Sequence, residues 1–199
     1  MQTLTPEKFS LKLPNAELSY FPNFFSKKEA DILFQKLRTE TQWRQDNITV
    51  FGKTYKQPRL TALYSQNSKT YTYSGITMNP LSFTKTLKAI HSKINEETTH
   101  MFTTVLLNLY RDGSDSNGWH ADDEKELGKN PVIASISLGT ERFFHFKHKK
   151  QKELRYKLLL KHGSLLIMKG EMQHYWLHQI PKSKQVIGER INLTFRTIN

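Results

Sequence analysis

The chain has 199 residues, of which 37% are hydrophobic, so it is long enough to bury a core as one domain. Its 30 lysines and arginines outnumber its 18 acidic residues, and the net charge of +12 favours a polyanionic partner, with nucleic acid ahead of an anionic membrane surface. Because cysteine is absent, disulfides and thiol nucleophiles are excluded and any metal must be bound by histidines and carboxylates. The apolar stretches are too short to span a bilayer and no secretory signal is visible, so we expect an intracellular protein that does not bind membranes.

Two helices are predicted in the first half of the chain. Ser26-Lys27-Lys28-Glu29 has the spacing of a capping box, and apolar residues at helical intervals follow it. Asn79-Pro80 offers a cap and a first-turn proline for a second helix, whose apolar stripe runs from Leu87 to about Glu97.

The second half of the chain changes to a period of two and predicts strands. The β-rich runs cover residues 103–111, 132–138, 142–148, 155–160, 164–168 and 191–197. Helices followed by many short strands predict an α+β fold, in which N-terminal helices brace one sheet of a sandwich or jelly-roll. We expect one domain, with the helices in residues 1–102 and the jelly-roll in residues 103–199.

Alternation along two of these strands places polar side chains on one face. In the last strand that face carries Arg190, Asn192, Thr194 and Arg196, away from three apolar residues. Asn108 and Tyr110 likewise share one side of an earlier strand. These polar faces can line a cavity, although a solvated strand face fits the arginines equally well.

A metal site is suggested by His120, Asp122 and His178. In an extended segment His120 and Asp122 project to the same side, so both can bind one metal, although a surface turn explains this pair equally well. Beside a tryptophan, His178 taken alone fits a buried core histidine. Two imidazoles and one carboxylate suit non-haem Fe(II), and a downstream arginine could then hold a dicarboxylate.

Five segments in order carry a resemblance to a known family. They are NLYRDG at 108–113, WHADDE at 119–124, GSLL at 163–166, WLHQIPK at 176–182 and RINLTFR at 190–196. Over residues 18–197 the chain resembles the AlkB-family Fe(II)/2-oxoglutarate dioxygenases, and most of all the branch that repairs alkylated bases in DNA or RNA.

The resemblance implies a double-stranded β-helix with a nucleotide-recognition lid from the N-terminal part. It implies Fe(II) bound by His120, Asp122 and His178. It also implies 2-oxoglutarate held by five side chains, namely Asn108, Tyr110, Arg190, Asn192 and Arg196, with Arg196 counted as catalytic beside the three metal ligands. With O2 as co-substrate, the family hydroxylates an N-methyl group on a base and releases formaldehyde, succinate and CO2.

The substrates that the resemblance implies are 1-methyladenine and 3-methylcytosine, which are cationic. Asp123 and Glu124 are therefore base-recognition candidates, with an exposed acidic turn as the alternative. Tyr73 and Tyr71 match a segment that stacks on the damaged base, with a plain buried strand as the alternative. Phe51 matches a loop that inserts an aromatic wedge into duplexes, with a core residue as the alternative.

Several alternatives stay open from the sequence alone. The basic run at 147–152 is either a solvated loop or a set of phosphate contacts. The same chemistry on another RNA modification, a protein or a lipid, or an inactive nucleic-acid-binding module, is the alternative to demethylation. We expect a monomer, located in the cytoplasm of a prokaryote or the nucleus of a eukaryote.

Overall fold

The computed structural model describes residues 1–5, 7–50, 52–67, 69–73, 76–185 and 187–198. The helices of this part of the chain are α1 Lys27–Glu40, α2 Lys85–Thr98 and the short α3 Met172–Tyr175, with a 3-10 helix at Lys125–Leu127. The strands before α2 are β1 Gln2–Leu4, β2 Phe9–Leu13, β3 Ala16–Phe21, β4 Asn47–Val50, β5 Lys53–Lys56, β6 Leu60–Ser65, β7 Tyr71–Tyr73, β8 Ile76–Met78 and β9 Leu81–Ser82. The strands after it are β10 Thr104–Tyr110, β11 Asn117–His120, β12 Ile133–Gly139, β13 Arg142–His148, β14 Arg155–Leu160, β15 Ser164–Lys169, β16 Trp176–Ile180 and β17 Arg190–Arg196.

Two large sheets form the body of the molecule. The five-stranded sheet has the order β1-β14-β13-β16-β11, and the eight-stranded sheet has the order β2-β3-β15-β12-β17-β10-β6-β9. One apolar cluster contains inward residues of both sheets, such as Phe146 and Leu166, and so forms the core between them. The predicted jelly-roll of an α+β protein is confirmed.

Both long helices pack on the outer side of the eight-stranded sheet. A second apolar cluster joins Leu37 of α1 and Ile90 of α2 to sheet residues such as Leu107, Leu193 and Phe195. The alternation that sends these sheet residues to the helices sends their neighbours into the space between the sheets. The predicted bracing of one sheet by helices is confirmed.

The start of α1 is confirmed and the start of α2 is corrected. Ser26 caps α1 in a complete capping box with Glu29. Thr84 caps α2, since its hydroxyl accepts a hydrogen bond from the backbone N–H of Leu87, and the helix begins at Lys85. The predicted cap at Asn79-Pro80 is wrong, because the residues after it form β9, which pairs in parallel with β6.

Strands also occur where no strand was predicted from the sequence. Before residue 103, β2, β3, β6 and β9 belong to the eight-stranded sheet, and β1 borders the five-stranded sheet. After it, β11 and β16 complete the five-stranded sheet. Two hairpins, β4-β5 and β7-β8, lie outside both large sheets, in the part of the chain predicted to form the lid. Within the described residues, no helix combines the length and the apolar character needed to span a membrane.

Candidate metal centre

Two neighbouring strands of the five-stranded sheet bring the predicted metal ligands together. His120 at the end of β11 lies opposite His178 on β16, and their ring centroids are 4.2 Å apart. Asp122 follows two residues after His120, and one ligand atom from each of the three side chains lies within 4.8 Å of the others. The predicted triad is therefore assembled at one place, between the two sheets.

Asp122 is held by contacts from two directions. Its Oδ1 accepts a hydrogen bond from Arg196 Nη2 at 2.8 Å, and its backbone N–H donates to Gln173 Oε1 at 3.0 Å. Burial would raise the pKa of Asp122, but Arg196 and, to a lesser extent, His178 and His120 together outweigh this and the pKa falls to about 2. The carboxylate is therefore ionised at neutral pH and available to a cation.

The two imidazoles are neutral at physiological pH. Burial lowers the pKa of His120, and burial together with the neighbouring His120 lowers the pKa of His178 to about 3. His120 Nδ1 lies 2.7 Å from the carbonyl oxygen of Gly118, so a proton on Nδ1 leaves Nε2 as the ligand atom. Among the described residues, His178 Nδ1 is buried with no hydrogen-bond partner. Two neutral imidazoles and one ionised carboxylate fit the facial triad of non-haem Fe(II).

Arg190 is a buried cation whose hydrogen-bonding capacity is mostly unused. Nη2 donates to Ser137 Oγ at 2.9 Å, and Tyr110 offers a looser hydrogen bond, but Nε and Nη1 are buried without a hydrogen bond of good geometry among the described residues. The guanidinium carbon lies 5.2 Å from the ring centroid of Tyr110, and burial lowers the pKa of Arg190 to about 10. A buried guanidinium in this state fits a carboxylate ligand, which would accept hydrogen bonds from its unpaired N–H groups.

The other residues expected to bind 2-oxoglutarate line the same cavity between the sheets. Asn108 and Tyr110 lie directly opposite Asn192 and Arg190 in the pairing of β10 with β17. The amide of Asn192 donates to Ser135 Oγ at 2.8 Å and to the carbonyl oxygen of Ile136 at 3.0 Å. The cavity therefore places both arginines and the three neutral side chains beside the metal ligands.

Residues for which no role was predicted from the sequence support the side chains of this cavity. Arg59 is buried and donates from Nε to Asn108 Oδ1 at 2.7 Å, and Gln173 accepts from the Asp122 backbone. Ser135 and Ser137 receive the donors of Asn192 and Arg190. The two serines occupy alternate positions in the predicted run at 132–138, so a polar inward face was visible there; nothing in the sequence marks Gln173.

The two acidic candidates for base recognition occupy different environments. Asp123 is exposed and lies 3.4 Å from Lys149 Nζ, with 45% of its side chain accessible. Glu124 is half-buried, and burial followed by the charge of Asp122 raises its pKa. Glu124 is therefore the acid that lies within reach of the metal centre.

The aromatic candidates are described only in part. Tyr71 is fully buried, and the guanidinium carbon of Arg196 lies 5.2 Å from its ring centroid. Tyr73 ends β7 and only its backbone is described, and Phe51 lies outside the described residues. Their stacking and wedge roles stay predictions.

Comparisons with known protein sequences agree with this site. The model of the 2OG-Fe(II) oxygenase superfamily matches residues 17–196. The chain is 43% identical over 186 residues to alpha-ketoglutarate-dependent dioxygenase alkB homolog 3 of Bos taurus, covering 89% of this chain and 64% of that protein. It is 39% identical over 184 residues to DNA oxidative demethylase ALKBH2 of Mus musculus, covering 87% of this chain and 77% of that protein. The chain thus spans a little less than two thirds of the alkB homolog 3 that it matches.

A solved structure shares the fold. The structure of OsALKBH1 superimposes with a TM-score of 0.61 at 21% sequence identity, covering 94% of this chain and 99% of the other. At this identity the likeness supports the arrangement of the two sheets and not a shared substrate.

Proposed function

The chain belongs to the AlkB family of 2OG-Fe(II) oxygenases, and from this membership we propose that it demethylates alkylated bases in nucleic acid, such as 1-methyladenine and 3-methylcytosine. The observation that carries the proposal is the joint placement of the His120, Asp122 and His178 triad and the unsatisfied Arg190 in one cavity. A metal and a dicarboxylate are the two ligands that these groups fit.

The triad would hold Fe(II), and Arg190 would bind one carboxylate of 2-oxoglutarate. When bound, these two groups with O2 supply the oxidation that hydroxylates an N-methyl group and yields succinate, CO2 and formaldehyde. The positions of the two imidazoles follow from strand pairing, because His120 and His178 are directly opposed in the sheet. Arg196 holds Asp122 in place and keeps its carboxylate ionised.

Charge supports an alkylated base as the substrate. A base methylated at N1 of adenine or N3 of cytosine is cationic, and Glu124 offers a half-buried carboxylate next to the metal ligands. We propose Glu124 as the group that recognises this cation, and Asp123 as a weaker contributor because Lys149 pairs with it at the surface. The net charge of +12 favours the polyanionic backbone that carries the base.

The proposal is tested by turnover on a defined lesion. Purified protein with Fe(II), 2-oxoglutarate and air should convert a single 1-methyladenine in an oligonucleotide to adenine, with formaldehyde released in equal amount. His178→Ala should abolish this activity, whereas His174→Ala, at an exposed histidine, should leave it unchanged. Absence of turnover on every methylated DNA and RNA oligonucleotide, with 2-oxoglutarate still binding, would favour another substrate. Absence of both turnover and 2-oxoglutarate binding would favour the alternative of an inactive nucleic-acid-binding module.

The domain bounds, the oligomeric state and the cellular location are also proposals. We propose that residues 1–199 form one dioxygenase domain and that the protein is a monomer inside the cell. Light scattering on the purified protein and fractionation of the source cells test the last two statements.

A further inference from the structure

The five-stranded sheet has an outer face that neither long helix covers. On β13 and β14 the even-numbered residues from Phe144 and Leu158 onward are buried in the core, and the odd-numbered residues alternate with them. We define the outer face by the outward residues of these strands and of the neighbouring β16 and β11. They are Phe143, His145, Lys147, Arg155, Lys157, Leu159, Leu177, Gln179 and Trp119.

Two large aromatic side chains stand exposed on this face. Phe143 is 39% accessible and Trp119 is 36% accessible, although burying either ring would remove a large apolar surface from water. A lysine lies over each ring: Lys157 Nζ is 4.9 Å from the centroid of Phe143, and Lys147 Nζ is 4.2 Å from that of Trp119. Each aromatic ring is thus paired with a flexible cation and not with the protein core.

The charge of the outer face has one sign. Lys147 and Arg155, two cations, are cross-strand partners, and Lys157 lies opposite His145, whose pKa is lowered by burial. The outward residues of the face, as defined above from the described part of the chain, include these three cations and no acid. Like charges opposite one another weaken a sheet, so this arrangement is more easily explained by an anionic partner than by stability.

We propose that the outer face binds a single-stranded segment of the nucleic acid whose modified base enters the metal centre. Unpaired bases would stack on Phe143 and Trp119, while Lys157 and Lys147 leave the rings and contact phosphates. Stacking surfaces next to basic side chains are the common means of binding single strands without sequence preference. An acidic protein would account for the lysines but would leave the exposed rings unexplained.

The position of the outer face relative to the metal centre fits this use. Trp119 immediately precedes His120 on β11, so adjacent residues of one edge strand face the surface and the metal site. From β11 to β14 there are three strand spacings, or about 14 Å, which a few nucleotides can span. A strand that delivers one base to the cavity can therefore lay its neighbours across the outer face. The inference rests on the proposed nucleic-acid substrate, but its test needs no catalysis.

Binding of unmodified oligonucleotides to the metal-free protein tests the proposal. Fluorescence anisotropy of a labelled 15-nucleotide single strand should show binding that Phe143→Ala weakens about 5- to 100-fold and Phe143→Trp preserves. Lys157→Glu should weaken the same binding and lower its dependence on salt. The matched control is Lys36→Glu, an identical charge change at an exposed position of α1 on the other side of the molecule, which should have little effect.

Three results would overturn the proposal. One is binding by Phe143→Ala at wild-type strength, and another is an equal loss for Lys36→Glu and Lys157→Glu, which would indicate unspecific attraction. The third is an equal effect of Phe143→Ala on a fully paired duplex, since stacking needs unpaired bases. If the oligonucleotide binds as expected but no methylated base is converted, the proposed function fails while the outer face stands.

Discussion

Arg196 and Asp122 form an ion pair of 2.8 Å whose two side chains are only 4% and 2% exposed. Arg196 lies on β17, the last strand in the chain and an inner strand of the eight-stranded sheet. It thereby fixes Asp122, the metal ligand that follows β11 of the opposite sheet. The pair joins the two sheets and makes the metal centre depend on the position of β17. Its contribution to stability and its contribution to metal binding can be measured separately.

Removing Asp122 should destabilise the protein even without metal. Asp122→Ala leaves the Arg196 guanidinium buried without its carboxylate, so we expect the free energy of unfolding to fall by about 3–5 kcal/mol. The double variant with Arg196→Met should recover much of this loss, because neither charge remains. Urea denaturation of the metal-free proteins measures both values. Equal destabilisation of the single and double variants would contradict this account.

Arg190 should contribute to ligand binding and not to folding. Arg190→Met removes the buried donor for a carboxylate, which costs about 2–5 kcal/mol of binding or at least about 30-fold in the Kd of 2-oxoglutarate. The ligand-free protein should be as stable as the wild type or more stable, since the unsatisfied donors on Nε and Nη1 disappear. Calorimetric titration with Mn(II) in place of Fe(II), together with thermal unfolding, checks both statements. A large loss of stability with unchanged affinity would show that Arg190 is structural.

Glu124 and Asp123 form a matched pair of substitutions for substrate charge. Glu124→Gln should raise the KM for 1-methyladenine about tenfold, because a contact with a charged group in a half-buried site contributes about 1.5–3 kcal/mol. The KM for a neutral alkylated base should change little. Asp123→Asn should leave both values near those of the wild type, as its carboxylate is exposed. The reverse order of effects would assign base recognition to Asp123.

Helix capping offers a test of the fold that does not involve the site. Ser26→Ala and Thr84→Ala each remove a side-chain acceptor at a helix start and should cost about 1 kcal/mol. Asn79→Ala should stay within about 0.5 kcal/mol, because Asn79 is exposed and precedes β9. Chemical denaturation of the three variants measures these losses of stability. An equal loss for Asn79→Ala and Thr84→Ala would contradict Thr84 as the cap of α2.

The polar face of β17 could be predicted because alternation over seven residues is a strong signal and both faces are occupied by distinct residue types. The same signal marks β3, where Ala16, Leu18 and Tyr20 alternate with less buried residues, but the strand is shorter and the signal is weaker. In β11 the run is only four residues long and contains Gly118, so periodicity has little to act on. Short strands gain their stability from neighbours that the local sequence does not reveal.

Contacts between distant parts of the chain account for the rest of the site. Gln173 meets the backbone of Asp122 across 51 residues of sequence, and Arg59 meets Asn108 across 49. Each of these polar residues would fit an exposed loop equally well when read alone. Their roles follow from the way the strands and sheets come together. The sequence motifs around the metal ligands indicate that arrangement only in outline.

Because β11 is an edge strand, metal binding should also affect how firmly this strand is attached to its sheet. This strand has four residues, one neighbour and an irregular register, and it ends at His120 opposite His178. A metal bound by both histidines would act as a cross-link at the free border of the sheet, where a strand is most easily detached. Amide hydrogens of β11 should then exchange with solvent much faster after chelation, while those of β17 in the middle of the other sheet change little. Iron limitation would therefore expose a pairing edge as well as stop the chemistry, and it would make the protein easier to degrade.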